Sequence, residues 1–183
     1  MAKARRKVLR PLSRSDFETL LEQSKEPWRS MMVVQQALGL RPGEVCKLRV
    51  ADVDLDAGTL ITPRDGKTGE RIIAFDPDTL GALLSPWLVD EHEYVFGGHH
   101  AMKVNSYHHA IRRYCDRAGL PGLKPYLLRH TYACELMDAG VPIATIAEAL
   151  GHASPATTAR HYLHSNIGAL RRVNAGRGVV PGR

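Results

Sequence analysis

Four side chains that could do chemistry lie in one stretch of the chain, between residues 124 and 164. They are Arg129, His130, His152 and Tyr162. A guanidinium or an imidazole can bind an anionic oxygen, and a phenol can act as a nucleophile when a neighbouring charge or base assists it. The surrounding residues are mostly those of helices that form a core. The polar groups therefore stand out as candidates for a site.

Two helices are predicted to position these groups. The first has apolar residues at helical spacing on one face, at Leu128, Tyr132, Leu136 and Met137. Gly140 is typical of its end, and Pro142 suits the first turn of the next helix. The second repeats the stripe, at Ile143, Ile146, Ala147 and Leu150. Gly151 ends it, Ser154 and Pro155 predict another helix start, and Tyr162 lies on or just after that helix.

Three ordered segments carry a resemblance to a known family. The segments YLLRHTYACEL, ALGHASPATTARHY and, upstream, LGLRPGEVCKL resemble three sequence boxes of the tyrosine recombinases, the phage integrase family. Three boxes in order are far more specific than one. The resemblance covers residues 11–165, which we take as a catalytic domain between a basic tail (1–10) and a C-terminal tail (166–183). The tail in such enzymes commonly docks onto a neighbouring protomer.

The resemblance implies a reaction and a set of residues. The activity is site-specific DNA recombination or integration, of the kind that moves mobile genetic elements, through a covalent 3′-phosphotyrosyl intermediate. Arg41 and Arg129 would grip the scissile phosphate and His152 would hydrogen-bond to it. Lys67 would protonate the leaving 5′-oxygen, and Tyr162 would be the nucleophile. Ordinary roles for these residue types are a helix cap, a structural salt bridge, a surface lysine and a packed tyrosine.

Tyr126 departs from the family pattern. The family usually has histidine three residues before the second arginine, where this chain has Tyr126. A phenol can donate a hydrogen bond to phosphate but is a weak base near neutral pH. We expect Tyr126 to keep the hydrogen bond and to leave proton transfer to water or another group. His130 is expected to be structural or to position Arg129, and Glu44 to support the structure.

The remaining chain predicts a mainly α-helical domain with a small antiparallel β-sheet or hairpin. Helices are expected over residues 12–24, 28–40, 76–88 and 105–118, with a short one beginning at Pro42. Strands over 59–62 and 71–75 would form the hairpin whose loop carries Lys67. Arg64 and Arg71 flank this lysine and are expected to contact the DNA backbone or plain solvent. Arginines form one side of the helix over 105–118, at Arg112, Arg113 and Arg117.

Composition fits a DNA-binding protein. The net charge is +6 and the pI about 9.4, which suits a polyanionic partner. Double-stranded DNA is the expected partner, with a homotetramer on DNA and a monomer without it. No cofactor is expected, and the histidine-rich patch over 92–109 lacks the spacing of a metal motif. The three cysteines read as buried thiols, so a cytoplasmic setting without a membrane is expected.

Two other functions share most of these features. A type IB topoisomerase cuts one strand by the same route and relaxes supercoils, and a DNA-binding protein could keep the fold without cutting. Full recombinases generally carry a separate DNA-binding domain before the catalytic one, and this chain begins almost at the catalytic domain. We therefore expect weak, salt-sensitive DNA binding by the chain alone.

Overall fold

The computed structural model describes residues 10–62 and 70–152. Within them lie helices α1 (Arg14–Glu22), α2 (Trp28–Leu38), α3 (Pro42–Cys46), α4 (Ala82–Leu84), α5 (Val104–Arg117), α6 (Tyr126–Asp138) and α7 (Ile143–Ala149), and strands β1 (Val53–Asp54), β2 (Thr59–Ile61) and β3 (Ile72–Ala74). The predicted fold class, mainly helical with a small antiparallel sheet, is confirmed. No helix in the described part is both long and apolar enough to cross a membrane.

Local sequence signals set the ends of the early helices. The Ser13 hydroxyl accepts a hydrogen bond from the backbone N–H of Asp16 at 3.1 Å and caps α1. Gly39 ends α2 with a φ of +62°, a conformation that L side chains rarely adopt. A Cβ atom there would lie 2.3 Å from Cδ1 of Tyr132 on α6. Gly39 therefore allows the turn and the close approach of α6.

The three strands form an antiparallel sheet in the order β1-β2-β3. The predicted hairpin is confirmed, with Leu60 opposite Ile73 and Ile61 opposite Ile72. β1, which the sequence did not predict, adds a short third strand. The Leu60–Ile73 pair faces the core, whereas Ile61 and Ile72 are 42% and 73% exposed. This alternation sets which residues of β3 point inward.

α2 and α5 run through the main core. A polar network at the buried Gln35 joins these helices to α6, because its amide N–H donates to the backbone oxygens of Leu40 and Pro125, both at 3.1 Å. Its amide oxygen accepts from the Tyr107 hydroxyl at 2.7 Å. A buried side chain with every partner satisfied fixes one relative placement of the helices. The network therefore sets where the first turn of α6 begins.

The single apolar stripe predicted for α6 is wrong in part. Tyr132, Leu136 and Met137 are only half-buried. Arg129, His130 and Thr131 are buried, as are Ala133 and Cys134. α6 packs against both α2 and α7, so more than one of its faces is covered. Ile143 of α7 was expected to be buried and is 38% exposed.

The predicted helices differ from the observed ones in their bounds, and the helix predicted over 76–88 differs most. Residues 76–88 form a π-helical turn over Pro77–Gly81, then α4, then a 3₁₀ turn over Ser85–Trp87. Pro86 lacks a backbone N–H and prevents a regular continuation. α5 begins at Val104, one residue before the predicted start at residue 105, with Lys103 in the cap position.

Candidate active site

Arg41 stands where α2 gives way to α3. It occupies the cap position of α3, Pro42 follows as the first helical residue, and Glu44 lies in the first turn. The Glu44 carboxylate accepts from the backbone N–H of Arg41 and from its Nη1, both at 2.7 Å. The local helix start therefore folds the Arg41 guanidinium back onto Glu44. Glu44 is 1% exposed, and the predicted structural role of this residue agrees with that burial.

Arg129 reaches the same carboxylate from α6. Its Nη1 donates to the carbonyl of Gly39 at 2.7 Å and lies 3.8 Å from Oε2 of Glu44. Its Nη2 donates to the carbonyl of Leu150. The side chain is 6% exposed. The two arginines that the sequence assigned to one phosphate are far apart in the chain and meet at Glu44 in the fold.

Arg71 is a third arginine in this cluster, and its prediction as a plain surface residue is wrong, whereas its contact with the DNA backbone stays a prediction. Its Nη1 and Nη2 donate to the two oxygens of Glu44 at 2.8 and 2.9 Å, and its side chain is 10% exposed. A signal was present in the sequence. Arg71 precedes Ile73 by two positions, so strand alternation puts both on the inward face, where a charge needs a carboxylate partner.

The electrostatics of the described cluster are set by one carboxylate, that of Glu44, and three guanidinium cations. Burial alone would raise the pKa of the Glu44 carboxylate. The hydrogen bonds and charge of Arg71 oppose that effect, and the backbone N–H of Arg41 and the charge of Arg129 add to them. The pKa of Glu44 therefore falls from 4.5 to about 2. The carboxylate stays ionised at neutral pH, and the described group keeps an excess of positive charge.

Replacing Glu44 by glutamine should destabilise the fold strongly. Loss of the charge leaves three guanidiniums without their shared partner, which costs about 3–5 kcal/mol for a buried pair. Because the folded pKa is lowered, the stabilisation is complete above about pH 4.5 and is lost as the pH falls toward 2, a total of about 3 kcal/mol. Urea unfolding across this range measures both effects.

A matched control for Glu44 is available on the surface. Glu18 pairs with Arg14 one turn away at 3.0 Å, and the two side chains are 59% and 93% exposed. Glu18→Gln should change the unfolding free energy by about 0.5 kcal/mol or less. If Glu44→Gln cost no more than this control, or if it left the acid dependence of stability unchanged, the three-arginine cluster would not stabilise the fold as described.

The carboxyl end of α7 is held by these arginines. The carbonyl of Ala149 accepts from Arg71 Nε at 2.9 Å, and that of Leu150 accepts from Arg129 Nη2. The carbonyl of Gly151 accepts from Arg41 Nη2 at 3.2 Å. The last carbonyls of a helix have no partner within it, and cations are favoured at that end. His152 follows directly, with its backbone N–H bonded to the carbonyl of Ala147 at 2.9 Å. The structure thus places His152 beside Arg41 and Arg129.

The other predicted site residues lie elsewhere or outside the described residues. Tyr126 is the first residue of α6 and is 57% exposed, one turn before Arg129. His130 is buried, and its Nε2 lies 3.6 Å from Sγ of Cys134. Lys67 and Tyr162 fall outside the described ranges.

The histidine-rich segment shows a ring contact. His92 and His99 meet edge to face, with centroids 5.7 Å apart. Among the described residues, no group of three or more His, Cys, Asp or Glu side chains is placed to hold a metal. On α5, Arg113 and Arg117 lie over the ring of Tyr114, with their guanidinium carbons 5.1 and 5.8 Å from its centre. The predicted basic side of this helix is exposed.

Known proteins are similar to this chain in sequence and in fold. Tyrosine recombinase XerA of Thermococcus kodakarensis is 30% identical over 167 residues, which are 85% of this chain and 58% of that protein. The crystal structure of XerA recombinase superposes with a TM-score of 0.74 at 30% identity, over 92% of this chain and 65% of that one. XerH, bound to palindromic difH substrate in a post-cleavage complex, superposes with a TM-score of 0.75 at 23% identity, over 92% of this chain and 53% of that one.

This chain therefore spans roughly half to two thirds of the length of these proteins. The model of the phage integrase family matches residues 10–168, which is most of the sequence. The match includes all three of the segments that carry the sequence resemblance. The chain belongs to the phage integrase family.

Proposed function

We propose that this chain is the catalytic domain of a site-specific DNA recombinase or integrase, which cuts and rejoins strands through a 3′-phosphotyrosyl link. The observation that carries the proposal is the meeting of Arg41 and Arg129 at Glu44, beside the end of α7 that leads to His152. Two guanidiniums from separate elements, with a histidine next to them, match what binding of one phosphodiester requires.

The charge of the cluster supports phosphate binding. Three guanidiniums share one carboxylate among the described side chains, so a net positive charge remains in a site of low exposure. Arginine stays protonated at any working pH, and here its orientation is fixed by the protein before DNA arrives. Such preorganised charge stabilises the additional negative charge that develops on the phosphate oxygens during cleavage.

The proposed reaction conserves the phosphodiester. The Tyr162 hydroxyl gives up its proton to water or another acceptor and its oxygen attacks phosphorus. The bond from phosphorus to the 5′-oxygen breaks, and Lys67 gives that oxygen a proton. The products are a 3′-phosphotyrosyl link and a 5′-hydroxyl. A 5′-hydroxyl from a second strand then attacks the link and returns a proton to Lys67, and the released tyrosine oxygen regains the proton that it lost in the first step. No ATP is consumed, because the number of phosphoester bonds does not change.

The proposed partner is double-stranded DNA, bound by a homotetramer. Recombination of two duplexes exchanges four strands, and each protomer supplies one tyrosine, so four copies provide one nucleophile for each strand. The exposed arginines of α5 supply a basic surface for DNA phosphates, at Arg112, Arg113 and Arg117.

A nicked duplex tests the proposed function. When a short 5′-fragment diffuses away after cleavage, religation fails and the covalent protein–DNA adduct accumulates. A recombinase should give an adduct on specific sites and should join two such sites. Relaxation of supercoiled DNA without joining would indicate a topoisomerase, and binding without an adduct would indicate a non-cleaving protein. The recombinase names of the relatives favour the first outcome.

Tyr126 gives a separate prediction. If its hydroxyl donates to the scissile phosphate, Tyr126→Phe should slow cleavage by about tenfold, the value of one hydrogen bond to a charged group. Stability should not change, because the side chain is 57% exposed. Tyr126→His restores a donor and should cleave faster than the phenylalanine variant. Single-turnover rates measure both, and a phenylalanine variant with the wild-type rate would remove Tyr126 from the site.

A further inference from the structure

Arg71 has no role in the proposed reaction, yet it binds Glu44, the residue that Arg41 and Arg129 also contact. It lies directly before β3, and Thr62 fixes its backbone: the Thr62 hydroxyl accepts the Arg71 N–H at 3.2 Å, and the Thr62 N–H donates to the Arg71 carbonyl at 2.9 Å. From this anchored position the guanidinium reaches both oxygens of Glu44 and the carbonyl of Ala149. The three hydrogen bonds from the guanidinium to Glu44 and Ala149 measure 2.8, 2.9 and 2.9 Å.

The turn that ends α7 packs on the Arg71 side chain. Gly151 has a φ of +61°, and a Cβ there would lie 3.2 Å from both Cδ and Nη1 of Arg71. Glycine thus permits the turn and leaves room for the guanidinium beneath it. His152 is the next residue, so the surface on which Gly151 rests also sets where His152 begins.

Arg71 and Arg41 hold the two ends of this turn, on either side of the Leu150 carbonyl that Arg129 holds. Both donate to the same Glu44 oxygen, Oε1, at 2.8 and 2.7 Å. Arg71 then holds the carbonyl of residue 149, and Arg41 that of residue 151. Two guanidiniums anchored on one carboxylate thus donate to the first and last of the three carbonyls, which fixes the orientation of the turn as well as its position. Loss of the Arg71 contact would free the residue-149 end of the turn, while Arg129 and Arg41 would still hold residues 150 and 151.

We propose that Arg71 is a positioning residue for DNA cleavage, which orients the end of α7 and thereby aims His152 at the phosphate held by Arg41 and Arg129. This inference rests on the proposed function. Arg71 itself does not touch the phosphate in this scheme. It acts on the phosphate side of the reaction through His152, and not on the leaving-group side through Lys67.

Arg71→Lys is the first test, since it keeps the charge but loses the planar fork that binds both Glu44 oxygens and Ala149 at once. In the protein without DNA, amide hydrogen exchange at Gly151 and His152 should rise by roughly tenfold relative to α2. In single-turnover cleavage at saturating DNA, the rate constant should fall by about 100-fold, as for a small misplacement of a group at the reacting centre. The dissociation constant for DNA should stay within about threefold.

A double-mutant cycle separates positioning from general support of the fold. On a His152→Ala background, Arg71→Lys should lower the cleavage rate constant by less than about threefold, because the imidazole that Arg71 positions is absent. On a Lys67→Ala background, Arg71→Lys should lower the rate constant nearly as much as it does in the wild-type chain. Equal costs on both backgrounds would overturn the assignment to His152. A variant with a smaller active fraction but a wild-type rate constant would reduce Arg71 to a structural residue.

Gly151→Ala is a second substitution that should perturb the same turn, and it does not remove any charge. Its Cβ would press on Arg71 from the opposite side at a φ that disfavours alanine. It should slow cleavage and show little further loss when combined with Arg71→Lys, and additive losses would count against the proposal. If the wild-type chain formed no adduct, the proposed function would fail. The exchange at Gly151 and His152 would still decide whether Arg71 fixes the turn.

Discussion

Tyr162→Phe should abolish the covalent adduct on a nicked duplex, a loss on the order of 10⁴-fold or more, as for other enzymes that lose their nucleophile. Phenylalanine has no oxygen to attack phosphorus, and no other group in the proposed mechanism can form the 3′-link. The measurement is the fraction of labelled DNA that migrates with denatured protein. DNA affinity should be unchanged, because only the hydroxyl has been removed.

Tyr94 provides the control for this substitution. Tyr94→Phe also removes a single hydroxyl, from a residue that the proposed mechanism does not use, and should cleave at the wild-type rate. An adduct that persisted in Tyr162→Phe would show that another residue is the nucleophile. An adduct lost in both variants would point to a general effect on the fold.

Arg41→Lys should slow cleavage by about 10²–10³-fold, the usual cost of losing one preorganised donor to developing negative charge. The native guanidinium spans Glu44 at 2.7 Å and the carbonyl of Gly151 at 3.2 Å. A lysine ammonium is a point charge and cannot hold both partners and a phosphate in one plane. Single-turnover cleavage at saturating DNA isolates the chemical step from binding.

Arg41 is a cleaner probe of the phosphate site than Arg129. The Arg41 side chain is 16% exposed, whereas that of Arg129 is 6% exposed and also binds the carbonyl that ends α2. Arg129→Lys should therefore lower stability together with rate. Arg14→Lys, at a residue 93% exposed, is the matched surface control. A rate for Arg41→Lys near that of this control would exclude Arg41 from the phosphate site.

The structure explains why one glutamate lies among several arginines. Without Glu44, the three guanidiniums would repel one another and would lose the carboxylate that all of them contact. With it, each guanidinium has a fixed direction and the group keeps a positive balance. One carboxylate thus serves both stability and phosphate affinity, because the charges it orients outnumber it.

The sequence by itself determined the local elements and the family. Ser13, Gly39 and Pro42 have strong conformational preferences of their own, so the ends of α1 and α2 and the start of α3 could be read directly. Two short runs rich in threonine, isoleucine and phenylalanine, with a glycine-containing turn sequence between them, predicted the hairpin of β2 and β3. The three boxes identified Arg41 and Arg129 as a pair, and they supplied the predicted roles of Lys67 and Tyr162.

Tertiary structure alone decided how these residues are held. The stripe predicted for α6 failed because α2 and α7 cover different faces of that helix, which its own sequence does not record. Arg71, at the start of a predicted strand, was expected to contact DNA or solvent, and only the fold brings Glu44 and Ala149, distant in the chain, within 3 Å of its guanidinium. Local patterns report on a residue and its near neighbours, whereas the pairing of buried charges depends on which distant elements the folded core brings together.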